Sequence, residues 1–335
     1  MKVLVVGCGS IGRRHIDNLT RIGGHELIAY RTRREGVAEL AQRYGVRSVF
    51  SLEEALAQHP DVAIIANPTS LHVPIALEAV RAGCHVFIEK PLSHSMEGVD
   101  ELLGMARERQ RVVCVAYQWR FHPLLARVKA LIDSGAIGRV VSLRAQVGQY
   151  LPDWHPWEDY RQGYYARRDL GGGVILTLSH ELDYVLWWLG QPEAVTCFAE
   201  RGGRLEIDTE GLAEMILRFP NGTLASIHMD YYQRTVTRTC HLIGEDGLVE
   251  IDLERGVART FFAARERWEE DTLPAGFAPN QMYLDELEHF LDCVQRDVPC
   301  RIDGMAGRLT LQVALAAKQA SASGRAVAID EAVNV

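Results

Sequence analysis

Long apolar runs are missing from this 335-residue sequence. No stretch of about 20 uninterrupted apolar residues occurs, so no transmembrane helix and no membrane partner are expected. An excess of positive charge is also missing. Lys and Arg number 36 against 44 Asp and Glu, a formal net charge of −8 at pH 7, and this argues against a nucleic-acid partner. Paired cysteines are missing as well. Cys8, Cys84, Cys114, Cys197, Cys240, Cys293 and Cys300 are scattered, odd in number and form no C-x-x-C. Reduced thiols are therefore expected, with no disulfide framework and no zinc or other metal site. Met1-Lys2 runs straight into Val3–Val6 and then glycines, too short an apolar segment for a signal peptide, so a cytoplasmic location is expected. No internal repeat or low-complexity stretch is visible.

What is there is ordinary globular material, 47% hydrophobic and 24% charged, enough length for two domains. The first part alternates strand and helix signals. Val3–Val6, Glu26–Tyr30, Asp61–Ala66, His85–Ile88 and Val112–Ala116 read as strands. Helices are expected from Ile11, over Val37–Tyr44, Val73–Ala82 and Met96–Arg109. Such βαβα alternation predicts an α/β Rossmann-type domain with a parallel sheet. After about residue 120 the pattern changes. A helix over Leu124–Ser134 is followed by strand candidates Val140–Val147, Ala194–Ala199, Leu212–Phe219, Thr223–Tyr231, Thr237–Ile243 and Leu248–Ile251. Pro220-Asn221-Gly222 joins two of them as a hairpin turn. Helices are expected around Leu284–Val294 and over Leu309–Ala322. The reading is an N-terminal dinucleotide-binding domain, 1–120, and an α+β domain, 121–335, with a large, mostly antiparallel sheet for substrate binding and oligomerisation.

Gly7-Cys8-Gly9-Ser10-Ile11-Gly12 fits G-x-G-x-x-G, following a buried strand and opening a helix. In that context the first glycine makes a tight turn, the second admits the pyrophosphate and the third lets helix and strand pack closely. Helix N–H groups, from Ser10 and Ile11 onward, then face the anion. About 20 residues on, NAD-binding folds usually place an acid for the ribose. This chain reads Tyr30-Arg31-Thr32-Arg33-Arg34, with no acid before Glu35. Arginines there can pair a 2′-phosphate, so NADP is expected over NAD, with Arg31, Thr32, Arg33 and Arg34 as its contacts.

Glu89-Lys90-Pro91 closes the strand from His85, and ligands of open α/β sheets bind outside the carboxyl ends of strands. With Ala66-Asn67-Pro68-Thr69-Ser70-Leu71-His72, the Tyr117–Pro123 segment YQWRFHP, and Gly171-Gly172-Gly173 followed by His180 and Asp183, these motifs run in one order along nearly the whole chain, to Gly324–Asp330. In that combination the sequence resembles the Gfo/Idh/MocA family, the glucose–fructose oxidoreductase and inositol dehydrogenase group. The resemblance implies that Lys90 contacts the reacting hydroxyl as acid/base. It implies that Asn67, Pro68, Thr69, His72, Glu89 and Lys90 lie along the dinucleotide, with Gln118 near the nicotinamide. Lys90 must be neutral to accept a proton, a form favoured by burial and a neighbouring nicotinamide cation.

His180 and Asp183 lie three apart in a segment that reads as one helix opened by the glycine run, so they share a face. Asp183 is expected to orient the imidazole, and His180 to bind or help deprotonate the substrate. Many members of the family carry an Asp four residues before the His; Thr177 stands near that position here, with Glu181 and Asp183 as nearby carboxylates. Tyr150–Tyr160 (YLPDWHPWEDY) and Gly163–Asp169 are dense in aromatic and polar tips. Tyr150, Trp154, His155, Arg167 and Arg168 are the substrate-binding candidates there, beside Lys90 and His180, with the arginines suited to a carboxylate or phosphate. Trp154 and Trp157 suit a subunit interface equally. The expected activity is hydride transfer between a nicotinamide and a sugar, cyclitol or sugar-derivative carbon. An NAD-dependent glycoside hydrolase or lyase and a non-catalytic dinucleotide sensor are the alternatives. A homodimer or homotetramer through the C-terminal sheet is expected, as in the family.

Overall fold

The computed structural model describes residues 1–32, 34 and 36–329. The chain divides into two compact units, the first made of Met1–Gln118 with Pro279–Arg308, the second of Trp119–Ala278 with residues 309–329.

The first unit is a six-stranded parallel sheet. Its strands are β1 (Lys2–Val6), β2 (Glu26–Tyr30), β3 (Arg47–Val49), β4 (Val62–Ile65), β5 (His85–Glu89) and β6 (Val113–Ala116), in spatial order β3-β2-β1-β4-β5-β6. This is the doubly wound order whose direction reverses between β1 and β4, where a crevice opens at the carboxyl ends. Each inner strand is a run of Val, Ile, Leu and Ala because both faces are covered; β4 is buried at all four positions. Helices α1 (Ser10–Ile22), α2 (Val37–Tyr44), α3 (Leu52–Leu56), α4 (His72–Arg81) and α5 (Val99–Glu108) connect the strands. α1 stops at Gly23 (φ +75°), whose N–H returns to the Leu19 carbonyl at 2.9 Å.

The second unit begins at Trp119, close to the expected boundary, but the first unit does not end there. α6 (Pro123–Asp133), α7 (Val174–Thr177), α8 (His180–Leu189) and α9 (Asn280–Arg296) follow in the chain. α9 joins the first unit: Leu287, Phe290, Leu291 and Cys293 lie in one buried cluster with Phe87, Cys114 and Ala116. Helical spacing gives α9 that apolar stripe, but the stripe does not say which sheet it covers. α10 (Gly304–Ser323) carries the chain into the second unit from Leu309.

The second unit holds a nine-stranded sheet of β7 (Val140–Gly148), β8 (Ala194–Glu200), β9 (Leu212–Arg218), β10 (Leu224–Asp230), β11 (Thr237–Gly244), β12 (Gly247–Asp252), β13 (Val257–Phe262), β14 (Arg267–Thr272) and β15 (Val327–Ala328). Neighbours are antiparallel except β7 and β10, which run parallel. β9 alternates buried and exposed residues, as a sheet with one covered face requires. The β9–β10 turn is the expected one: Gly222 (φ +83°) bonds the Phe219 carbonyl and Asn221 Oδ1 accepts the Thr223 N–H at 3.1 Å. No helix among the described residues is long and apolar enough to cross a membrane.

Candidate functional site

In the first unit the carboxyl ends of β1, β4 and β5 stand side by side and carry Gly7, Asn67 and Lys90. Gly7 takes φ +86°, and a Cβ there would stand 2.8 Å from the Ala66 carbonyl oxygen. On Gly12 a Cβ would lie 2.0 Å from the Gly7 oxygen, so this turn and helix can pack only without side chains at both positions. Gly9 is different: a Cβ there would meet nothing within 4 Å. The open side of the turn faces free space beside the first N–H groups of α1, which carry no side-chain cap and no acidic neighbour in the first turn. Ser10 is exposed and Ile11 half-exposed there. Next to them, both polar atoms of the Asn67 side-chain amide are buried without a hydrogen-bond partner. An uncapped helix N-terminus beside an orphaned amide fits a phosphate-bearing dinucleotide.

Beyond β2, Arg31 is buried and its N–H bonds the Val49 carbonyl at 3.1 Å. Thr32 is exposed, and the Arg34 guanidinium lies 4.6 Å from the Phe50 ring centroid. Arg33 lies outside the described residues. Arg13 approaches the same place from α1, paired with Glu39 at 2.8 Å. Both Arg13 and Arg31 oppose the upward push that burial gives the Cys8 thiol, which places positive potential at the glycine turn.

Several residues expected along the dinucleotide are engaged within the protein. His72 is buried, with Nδ1 2.8 Å from the Pro91 carbonyl and Nε2 2.9 Å from the Asn67 carbonyl. It therefore pins the loop after β4 to the loop after β5. Glu89 holds His15 Nε2 at 2.7 Å through Oε1 and accepts the Lys90 N–H at 3.3 Å through Oε2. The carboxylate thus holds the Lys90 amide, while His72 meets the Pro91 carbonyl on the other side, and the carboxylate is mostly screened from a ligand. Thr69 is buried under the short turn Thr69–Leu71 that Pro68 precedes. Gln118 Nε2 donates to the Tyr283 hydroxyl at 3.0 Å, and Arg14 covers that Tyr283 ring at 4.4 Å. Lys90 itself is half-buried at the end of β5.

In the second unit the expected single helix is broken. α7 ends at Thr177 and α8 starts at His180. Thr177 is buried beside the Tyr231 phenol, within its hydrogen-bonding reach. His180, 5% exposed, opens α8 with the Trp119 ring 6.4 Å away, edge-on. Asp183 does not serve His180 as expected. Both of its oxygens are taken by Arg120, Nε at 2.9 Å and Nη2 at 2.7 Å, and the pair is buried. Burial pushes the Asp183 carboxyl up, against the opposing pull of Arg120. Glu181, fully buried, stands 2.9 Å from Arg238 Nε, and Arg238 lies over the Trp119 ring at 4.2 Å. Each carboxylate near His180 therefore has its own arginine.

The aromatic loop has a similar internal economy. Arg167 forms a fork with Asp169, and Arg168 donates from its backbone N–H to Asp208 Oδ1 at 2.7 Å and from Nη2 to the Asp208 carbonyl at 2.9 Å. The carboxylate or phosphate grip expected of these two arginines is taken within the chain, by the Asp169 carboxylate for Arg167 and by the Asp208 main-chain carbonyl for Arg168. Arg234 covers the Tyr150 ring at 3.6 Å. Trp154 packs edge-on against Tyr165 and Tyr231, and His155 stacks on Tyr165. Three polar tips of this cluster, Trp154 Nε1, His155 Nδ1 and Tyr165 Oη, are buried without a partner. Trp157 stays 73% exposed.

With this geometry in view, comparison with known proteins decides the family. Residues 1–117 match the Gfo/Idh/MocA model described as an oxidoreductase family with an NAD-binding Rossmann fold, and residues 125–250 match the Gfo/Idh/MocA C-terminal domain. The chain belongs to the Gfo/Idh/MocA oxidoreductase family. It is 26% identical to the myo-inositol 2-dehydrogenase of Thermotoga maritima over 99% of this chain and 100% of that one. It is 27% identical to the UDP-N-acetylglucosamine 3-dehydrogenase of Acidithiobacillus ferrooxidans over 94% and 95%. A levoglucosan dehydrogenase solved with NADH shares the fold at TM-score 0.89 and 21% identity, over 99% of this chain and 100% of that one.

As a Gfo/Idh/MocA protein, the chain carries an NAD-binding Rossmann domain. Sequence reasoning did not single out His15, Tyr283, Arg238 or Asp208. His15 sits three residues after Gly12 in α1, a helical spacing, but its partner Glu89 lies 74 residues away. Tyr283 comes from α9, which returns to the first unit only in three dimensions. No local signal could have found these pairs.

Proposed function

We propose that this oxidoreductase is a dehydrogenase or reductase of a sugar, cyclitol or sugar derivative, with Lys90 as its acid/base. The observation that carries the reading is the row of strand ends on β1, β4 and β5. The open space at Gly9 and the orphaned Asn67 amide lie at the switch point between β1 and β4, with Lys90 at the end of the next strand, β5. A nicotinamide dinucleotide held there supplies the hydride carrier. Lys90 Nζ takes the hydroxyl proton when substrate is oxidised and returns it when product is reduced. Glu89 and His72 fix the backbone that aims Lys90. In the second unit His180 and Thr177 are assigned to substrate binding. Trp154, His155 and Tyr165 form an aromatic cluster whose buried polar tips have no partner in the protein, which supports a hydroxylated ring as its ligand. The curated relatives named above act on an inositol and an amino-sugar nucleotide, which supports a polyol or sugar substrate.

NADP is the preferred cofactor on this reading. Arg31 and Arg34 follow β2 where an acid would bind a ribose, and Arg13 adds charge from α1. Titration with NADPH and NADH tests it: NADH binding about tenfold tighter, or more, overturns the preference. A homo-oligomer through the second sheet also fits. Phe198, Ile216 and Leu224 lie on one face of it, 74%, 47% and 48% exposed.

Lys90→Ala tests the function. The variant should keep dinucleotide affinity and lose turnover by about 10²- to 10⁴-fold in a coupled absorbance screen of sugars, inositols and sugar acids. A near-normal kcat refutes the assignment.

A further inference from the structure

The cysteines read as scattered do not stay scattered. On α9, His289 and Cys293 are four residues apart and share a face. α9 ends at Asp297, a left-handed residue (φ +53°), and the Val298 N–H returns to the Cys293 carbonyl at 3.1 Å. This reversal brings Cys300 back to the same face. Ligand atoms of His289, Cys293 and Cys300 all lie within 4.8 Å of one another. The segment then pairs with the sheet edge: the Val115 N–H bonds the Ile302 carbonyl at 3.0 Å, and Cys114 bridges to Asp303. That pairing sets the Cys114 thiol against Cys300, so the Cys300 thiol is hydrogen-bonded to both Cys114 and Cys293. All three thiols are buried, at 1%, 2% and 6% exposure, and half-buried His289 closes the group towards solvent.

We propose that Cys114, Cys293, Cys300 and His289 form a structural zinc(II) site that clasps the end of α9 to the edge strand β6. The donor set is the Cys₃His type of structural zinc sites. A tetrahedral zinc at about 2.3 Å from sulfur and about 2.0–2.1 Å from nitrogen needs sulfur and nitrogen about 3.5 Å apart. Cys293 Sγ and His289 Nε2 stand 3.6 Å apart. Sulfur pairs need about 3.8 Å, and the ligand atoms of His289, Cys293 and Cys300 lie within 4.8 Å of one another, so closure of these three takes side-chain movements of about 1 Å, while the Cys114 thiol, outside that spacing, has to turn in from its contact with Cys300. His289 Nε2 accepts the Arg301 N–H at 2.9 Å, so its lone pair is aimed at that amide and its proton sits on Nδ1. That is the tautomer a metal at Nε2 requires. On binding, three S–H bonds break, the protons leave to buffer, and three Zn–S bonds and one Zn–N bond form. The Arg301 N–H gives up its acceptor. No electron moves.

The test uses the full chain, reduced and stripped with a chelator, then titrated with Co²⁺ and afterwards Zn²⁺. The expected result is about one equivalent of Co²⁺, with a thiolate-to-cobalt charge-transfer band that Zn²⁺ removes, and proton release on binding. Cys293→Ser and Cys300→Ser should lose the band, and Cys197→Ser, in the second unit, should keep it. His289→Gln disturbs only a half-buried position, so it guards against misfolding of the serine variants; it should weaken zinc about tenfold or more with the far-UV circular dichroism unchanged. Three results overturn the proposal: no charge-transfer band in the reduced chain, a band that survives Cys293→Ser and Cys300→Ser, or zinc affinity unaltered by His289→Gln. A chain two hydrogens lighter in mass that shows no Co²⁺ band after reduction also overturns it, in favour of a disulfide pair.

Discussion

At the glycine turn of the first unit, positive potential comes from main-chain N–H groups and from the guanidinium groups of partly exposed Arg13 and buried Arg31. In the second unit, Arg120 and Arg238 are shut in with Asp183 and Glu181, both acids fully buried. The first arrangement leaves room for a charged ligand. The second neutralises its own charge and hands His180 and Thr177 a rigid, nearly neutral frame. The lesson is that the same residue types keep their charge available beside open space and cancel it where they are buried in pairs. Removing one member of a buried pair leaves an unpaired charge and destabilises by about 3–5 kcal/mol, whereas an exposed pair such as Arg13–Glu39 contributes about 1 kcal/mol or less.

The contrast can be broken at either unit, and the largest effect should come from the turn itself. Gly12→Val forces a side chain into the Gly7 carbonyl, 2.0 Å from the Cβ position. It should abolish dinucleotide binding and lower stability by more than about 4 kcal/mol, read by calorimetry and cofactor fluorescence. Next comes the buried pair. Asp183→Ala should lower stability by about 3–5 kcal/mol, and Arg120→Met with Asp183→Leu should recover much of that loss in denaturant titrations. Equal losses in the single and double variants would deny that the charge matters. Third, Gly9→Ala should leave the melting temperature unchanged, because nothing lies within 4 Å, yet raise the dinucleotide Kd by about tenfold, some 1.4 kcal/mol. A stability loss with unchanged Kd would reverse the reading of that open face.

The smallest effects are pH-dependent and confined to the second unit. Burial pushes His122 down to about 4, with the charge of Arg238 adding to it. The unfolded chain takes up that proton near 6.5 and the folded chain does not, so stability should fall as pH drops from about 6.5 to about 4. His228 moves the other way. Its hydrogen bond to Asp230, helped by Glu214 and opposed by burial, pushes it up to about 9. Its contribution is whole below about 6.5 and is lost as pH rises through about 9. Denaturant titrations across this range should flatten at the acid end in His122→Phe and at the alkaline end in His228→Gln.

Five of the six Rossmann strands were legible because each is its own apolar run, and Glu26–Tyr30 and Val37–Tyr44 fall where the sequence puts them, whereas the three-residue edge strand Arg47–Val49 was too short and polar to be read. β14 was not legible: Arg267–Thr272 reads RWEEDT, an edge strand with little to bury. The break between Thr177 and His180 carries no glycine or proline, so local propensity runs a helix straight through it. The pairing of Asp183 was misjudged because spacing on a helix reveals only neighbours on that helix, and Arg120 lies 63 residues away.

The glycine fingerprint, the strand periods and Lys90 at a strand end are properties of a few consecutive residues, and the sequence alone determined them, because backbone geometry and burial act over that range. The tertiary structure alone decided which arginine neutralises which buried acid, why His72 and Glu89 face their own loops, that α9 returns to the first sheet, and that His289, Cys293 and Cys300 converge at its edge. Those outcomes depend on which surfaces the chain buries together, and a charge, an imidazole or a thiol acquires its partner only when that burial is complete.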